Sequence, residues 1–305
     1  FALLACPLEP LAIAATFGLD AGWPGLPPGL AKVTSDERNI IAGNAAISMA
    51  WTLAPKGLKA LSARDEQLGR SLTFSGEIFR IGLADGQSYA ASALVAEGRP
   101  RLSQLAPSPK AAQLVRHIPG RQAEVSLQSP DGRLRVVWRV LLHDGANYVR
   151  QEIEVTALQD NCAVREIVWL DENIAGATTV GRVDGAPVVA GDFFFASEDP
   201  HAVATDGHLP CRLPRASPLG TGERLTQSFV TGVAPPGQMR RAFLYYLERE
   251  RAHPFRPFLH YNSWYDISWH PALFDEAACL EAIRLFGERF INPHGVVMDA
   301  MVFDA

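Results

Sequence analysis

The sequence predicts a mainly β protein, a large antiparallel sandwich followed by a short β-α-β unit. Three observations carry that reading. From Val33 to Ala252, apolar runs of alternating polarity are separated by Gly, Pro and Asp turns, which is the texture of sheet. After Arg256-Pro257 the pattern changes to strand, helix, strand within about 50 residues, enough for one crossover unit. No internal repeat or low-complexity run interrupts either part.

Taken in order, Ile47–Leu53 (ISMAWTL) is the first clear strand, closed by the turn signal Pro55-Lys56-Gly57. Leu72–Leu83 (LTFSGEIFRIGL) reads as one strand running into Ala84-Asp85-Gly86-Gln87. Glu124–Gln128 and Leu134–Leu142 (LRVVWRVLL) flank Ser129-Pro130-Asp131-Gly132, a hairpin turn because Gly takes positive φ without strain. In Tyr148–Leu158 (YVRQEIEVTAL), Val149, Gln151, Ile153 and Val155 alternate with Arg150, Glu152 and Glu154, the period of a half-buried strand. Further strands are expected at Val164–Leu170, Ala177–Val183, Pro187–Phe195, Leu225–Val233 and Arg240–Glu248. Around a dozen such strands with polar turns favour a sandwich over a parallel sheet.

Phe258–Trp264 is strand-like. Pro271–Phe290 is helical: Leu280, Ile283, Phe286 and Phe290 repeat on one face, Asp275 and Glu276 fall in the first turn, and Arg284 and Arg289 lie towards the end. Asn292-Pro293-His294-Gly295 stops the helix, and Val296–Phe303 (VVMDAMVF) follows as a buried-type strand parallel to the first. A lone parallel pair cannot cover both faces of its sheet, so the chain is expected to be truncated as a second, α/β domain begins. The expected division is a segment 1–32, a sandwich 33–252 and a β-α-β unit 253–305.

With 48% hydrophobic and 20% charged residues, the 305-residue chain can bury a sizeable core. Its net charge of -5 and scattered basic residues lack the stripe that nucleic acid requires. Cys6, Cys162, Cys211 and Cys279 form no C-x-x-C pair, so thiolate metal ligation and a disulfide framework are not implied; a Cys162–Cys211 bridge stays open. No run of 18–20 apolar residues spans a bilayer. Phe1–Cys6 (FALLAC) reads either as the remnant of an export leader or as the start of a buried element. The first implies a secreted, periplasmic or lipid-anchored protein, the second a cytoplasmic one. His253, His260, His270 and His294 match no zinc spacing, and Gly181–Ala186 lacks the glycines of a phosphate loop. No metal or cofactor is expected.

The densest cluster of aromatic and polar groups is HPFRPFLHYNSWYDISWHP, from His253 to Pro271. Within it, Phe258-Leu259-His260-Tyr261-Asn262-Ser263-Trp264 resembles the first barrel strand of the retaining α-galactosidase and raffinose-synthase-like glycoside hydrolases, which ends in Asn-Ser-Trp. Val302-Phe303-Asp304-Ala305 sits where that clan has a Leu-Asp-Asp-Gly-Trp-like motif, and Gly185–Pro200 is similar to its Pro-Val…Phe-Phe…Glu-x-Pro segment. The branch most resembled is a divergent bacterial one labelled α-galactosidase-like or "enterotoxin". This resemblance implies a large β-supersandwich followed by the start (β-α-β) of a (β/α)8 barrel. It implies an exo-acting retaining α-glycosidase acting on a terminal α-linked galactoside or related sugar, with homo-oligomerisation open.

Ligands meet barrel strands at their C-terminal ends, so the resemblance makes Trp264 an apolar platform for a sugar ring and Asn262 and Asp304 partners for its hydroxyls. Tyr265 and Asp266 follow the strand and are candidates for the mouth. Ala305 departs from the clan's second Asp, which puts recognition of one hydroxyl in doubt. The clan's nucleophile and general acid lie on later strands, and no carboxyl pair here offers the separation of about 5–5.5 Å that a retaining mechanism needs. No catalytic residue is therefore assigned, and the 305-residue chain is expected to be inactive alone. Asp299 reads as a structural hydrogen-bonding group, and Glu198 and Asp199 as a turn, with a minor substrate role left open because the resemblance implies a sandwich loop lent to the active-site mouth. Two other readings stay open: a non-catalytic carbohydrate-binding β-sandwich, and a raffinose-synthase-like α-galactosyl transglycosylase.

Overall fold

The computed structural model describes residues 22–54, 57–205, 208–214, 218–269 and 274–304. Phe1–Cys6, the Pro55-Lys56 turn, His270, Pro271 and Ala305 lie outside the described residues, as does the side chain of Cys211. The chain divides into two compact units, one within Gly18–Pro254 and the other from Phe255 onward.

The first unit is mainly antiparallel sheet. Lys32–Ser35, Asn39–Gly43, Ile47–Ala54, Gly57–Asp65 and Arg70–Thr73 form a five-stranded meander. A nine-stranded sheet is centred on Gly120–Gln128, Leu134–His143, Tyr148–Ala157, Arg224–Val233 and Phe193–Ser197. A six-stranded sheet is built around Glu77–Leu83, Cys162–Asp171 and His208–Pro214. The expected hairpin at Asp131-Gly132 is present, with Gly132 at φ 71° and Val125 opposite Trp138.

Side-chain parity fixes how these layers stack. Gln151 pairs with Phe229 and Trp138 with Ile153, so these four side chains share one face of the nine-stranded sheet. On that face Trp51 of the five-stranded sheet meets Trp138 edge-on, with ring centroids 5.3 Å apart. Trp169 of the six-stranded sheet stacks on Phe229 at 5.6 Å and 14°. Both smaller sheets therefore pack on the same side of the large one. Gln151, 1% exposed, sits at the centre, where its Oε1 accepts from Trp51 Nε1 at 3.2 Å and Trp138 Nε1 at 3.3 Å.

The opposite face carries the other parity of the same strands. Arg139 bridges Glu124 and Glu152, and Arg150 bridges Glu152 and Glu198. One end of that face is covered by the helix Met239–Glu250. Phe194 packs there against Phe243 and Tyr246, and its ring occupies the space above Gly232, where a Cβ would come within 2.0 Å of it.

Three expected strands need correction, and the open question of a disulfide is settled. Arg240–Glu248 is not a strand but lies in that helix; Ala242, Tyr246 and Arg249 are buried at i, i+4 and i+7, a period near 3.6 rather than two. Leu72–Leu83 is two strands in different sheets. The break falls at Ser75-Gly76, whose N–H groups both donate to Glu172 Oε2 at 2.6 Å, and a Cβ on Gly76 would lie 1.9 Å from the Asp171 carbonyl oxygen. Cys162 is a free buried thiol opposite Leu219, whereas Cys211 lies opposite Trp169 at the other end of the same strand, so the two do not bridge. Pro187–Phe195 is likewise two short strands, Val188–Ala190 and Phe193–Ser197, turned at Gly191 with φ 60°.

The second unit is the expected β-α-β. His260–Asn262 and Ala300–Val302 pair in parallel, and the helix Glu276–Phe286 lies between them in sequence. Asp275 caps that helix by accepting from Ala278 N at 2.9 Å. A wider turn at Gly287–Ile291 carries the chain into Asn292–His294, and Gly295 at φ 60° ends it.

Because one amide oxygen serves two buried indoles, Gln151→Leu should strand both N–H groups. At about 1–3 kcal/mol for each buried donor left unpaired, the variant should lose about 2–6 kcal/mol in denaturant unfolding. Arg224→Ala, on the exposed rim of the outer face, should change stability by less than about 0.5 kcal/mol.

Candidate functional site

The site is built at the carboxyl ends of the two parallel strands. The register sets Asn262 beside Val302, so the segments that follow each strand leave from the same edge. Ser263, fully buried, ties them together: its Oγ accepts from Asp304 N at 2.7 Å and donates to Asp304 O at 2.9 Å. Ser268 Oγ lies 2.5 Å from the same carbonyl. One small hydroxyl residue thus fixes the backbone of Asp304 relative to Asn262.

The chain turns sharply after the first strand. Asn262 Oδ1 accepts from Trp264 N at 2.8 Å and caps the short helical turn Ser263–Tyr265. That turn lifts Trp264 and Tyr265 off the sheet; they are 47% and 82% exposed. Trp269, 70% exposed, stacks on Tyr265 with centroids 6.0 Å apart and planes at 28°. Three exposed aromatic rings therefore follow one strand end. Among the described residues, the Asp304 carboxylate makes no hydrogen bond or ion pair.

Behind the turn, Tyr261 is buried against Phe286 at 5.0 Å and Phe303 at 5.7 Å. Its hydroxyl donates to Asp266 Oδ2 at 2.8 Å. Burial, and then the Asp266 carboxylate, push the Tyr261 phenol up to about 12. At the opposite end of the strand pair, Asp299 accepts from Leu259 N at 2.9 Å and pairs with Arg256. The Leu259 N–H and then the Arg256 guanidinium hold its carboxyl below the usual range.

Of the residues named from sequence, Asn262, Trp264, Tyr265 and Asp304 are thus brought to one edge. Asp266 is engaged by Tyr261 and anchors the loop. Trp269 was not singled out from sequence; its spacing of four from Tyr265 is the signal that locates it. Among the described residues, no group of three or more His, Cys, Asp or Glu side chains could hold a metal ion. Nor is any helix of these residues long and apolar enough to cross a membrane.

No family model and no curated protein matches the chain. Several solved structures are similar to it. A GH36 α-galactosidase from Geobacillus stearothermophilus is 13% identical with a TM-score of 0.47, covering 90% of this chain and 50% of that one. The galactosidase domain of an α-galactosidase-sucrose kinase is 11% identical with a TM-score of 0.46, covering 76% of this chain and 47% of that one. An active YidC insertase structure is 9% identical with a TM-score of 0.42, covering 78% and 47%. The chain spans about half the length of each of these chains. Likeness at this level does not separate a glycosidase from an insertase.

The Tyr261–Asp266 pair gives a pH test of the loop. Folding favours the neutral phenol, so its contribution to stability is full below about pH 10 and is lost as pH rises through about 12. A carbon-13 NMR titration of the Tyr261 ring should show that high midpoint. Asp266→Asn should lower it only in part, because burial is the larger cause.

Proposed function

We propose that the chain is the sandwich and first β-α-β of an exo-acting retaining α-glycosidase that removes terminal α-linked sugars, most simply α-galactosides. One observation carries this reading: Asn262, Trp264 and Asp304 leave the carboxyl ends of two adjacent parallel strands, where α/β folds gather their ligand contacts. A sugar ring offers an apolar C–H face and a rim of hydroxyls. The half-exposed Trp264 ring matches the face, and the Asp304 carboxylate matches the rim. The serine clamp holds the two at a fixed separation, as a specificity site requires.

Asn262, Trp264, Tyr265 and Asp304 are binding groups in this reading, and Asp266, held by the Tyr261 hydroxyl, supports the loop that carries them. No carboxyl pair placed for retaining catalysis is assigned among the 305 residues, so the nucleophile and general acid are assigned to later barrel strands. The most direct test is the reading frame beyond codon 305, which should encode further barrel strands carrying two aspartates. A frame that ends there, or continues without them, overturns the glycosidase reading.

In the complete enzyme, Trp264→Ala should remove the platform and loosen the orientation of the reacting carbon. Aromatic contact is worth about 1–2 kcal/mol and misorientation adds to that, so kcat/KM should fall at least about tenfold. Stability should change by less than about 1 kcal/mol, since the ring is half exposed. A core tryptophan would behave in the opposite way, losing about 3–5 kcal/mol on truncation with efficiency retained while folded. Melting curves and kinetics of the same variant distinguish the two.

A further inference from the structure

The sandwich unit holds a second polar centre that the strand-end site does not use. On the outer face of the nine-stranded sheet, Glu198 Oε2 accepts from Arg150 Nε and Ser228 Oγ, each at 2.5 Å, and its Oε1 accepts from Tyr246 OH at 2.9 Å. Glu250, the last residue of the helix covering that face, accepts from Tyr148 OH at 2.6 Å through Oε1 and from Gln113 Nε2 at 3.1 Å through Oε2. Both carboxylates line a cavity of about 600 Å³, closed on the helix side by Phe243 and Leu247 and on the sheet side by Ala196 and Pro187.

The hydrogen-bond inventory of this floor is uneven. A carboxylate has about four acceptor positions. Glu198 uses three and Glu250 two, so acceptor capacity remains at the cavity wall, and among the described residues two buried lining groups, Ser197 Oγ and Arg251 Nε, also lack a partner. Burial, and then the nearby Glu198 charge, push the Glu250 carboxyl up to about 6. A partly desolvated carboxylate with unused lone pairs is costly unless donors reach it. The Arg150 and Arg251 guanidiniums on the same lining are already paired, with Glu152 and Glu198 and with Glu248, so an anion would still meet Glu198, Asp199 and Glu250 in excess, and the complementary ligand brings hydroxyls and no negative charge. The Phe243 ring and the Leu247 side chain supply an apolar wall beside those acceptors. The volume falls within the roughly 300–1,000 Å³ of small-ligand pockets.

We propose that this cavity is a binding site for a neutral polyhydroxylated ligand of one or two sugar rings, with Glu198 and Glu250 accepting its hydroxyls and Phe243 packing on its apolar face. The site lies wholly within the sandwich unit and stands independently of the strand-end site.

The test uses calorimetry and saturation-transfer NMR on the full chain, with methyl α-D-galactopyranoside and melibiose, a one-ring and a two-ring sugar, as probes. At least one probe should bind with a Kd in the millimolar range, about −4 kcal/mol. Trp264→Ala should leave that binding in place, which separates this site from the strand-end one. Leu247→Trp, which fills the cavity, and Glu250→Gln, which weakens an acceptor, should each weaken it by about tenfold. Should either variant fold poorly, nuclear Overhauser contacts from the Phe243 ring to the bound probe in the unaltered chain give the same information. No binding of either probe at about 20 mM overturns the proposal. So does binding that Trp264→Ala abolishes and Leu247→Trp leaves intact.

Discussion

A single amide oxygen holds the sandwich in register. Gln151 Oε1 accepts from one indole on its own sheet and one on the facing five-stranded sheet, at a point almost closed to water. Indole N–H groups are donors only, and a buried one needs an acceptor. Two tryptophans packed edge-on supply apolar area at this layer contact, but area alone is indifferent to small sliding. The shared acceptor is directional. It sets Trp51 and Trp138 at one separation, and with them the strands Ile47–Ala54 and Leu134–His143.

From that anchor the rest of the unit follows by parity. Once Gln151 faces inward, Ile153 and Val155 do as well, and Arg150, Glu152 and Glu154 must face outward. Phe229 is carried inward by its pairing with Gln151 and becomes the seat for Trp169 of the third sheet. Tyr148 and Phe194 are carried outward, where the ladder of charges gives way to an apolar end covered by the helix Met239–Glu250. Gly232 belongs to the same logic. It lies between Tyr148 and Phe194 in the ladder, and its missing side chain is what lets the Phe194 ring lie flat enough to meet Phe243 and Tyr246. A one-residue slip would exchange the charged and apolar faces of the central strands.

Much of this was legible wherever the local signal and the tertiary environment agree. The Asp131-Gly132 turn and the alternation through Tyr148–Ala157 are such cases, because a half-buried strand must alternate and a tight hairpin needs positive φ. The helix Met239–Glu250 was hidden for a physical reason. It packs on a face that is already partly polar, so its buried set includes Arg249, and bulky residues such as Phe243 and Leu247 mix strand and helix preferences. The break at Ser75-Gly76 was hidden because its cause is distant in sequence, namely the Glu172 carboxylate that gathers both N–H groups. The convergence of Glu198 and Glu250 has the same character: each is an ordinary acid in sequence, and only the pairing of strand and helix brings both to one cavity.

The strand-end cluster shows why aromatic and polar residues concentrate there. Parallel strands end on the same side, so residues a few positions past each strand meet without any further folding. That geometry makes strand ends efficient for assembling groups from separated parts of the chain, but it leaves the connecting backbone short of partners. Here the side chains that begin the turn solve that problem themselves. Asn262 caps Trp264, and Ser263 and Ser268 satisfy the backbone of Asp304. The neighbouring aromatic rings and the Asp304 carboxylate are then not required for local structure, which is the condition under which such groups are available for recognition.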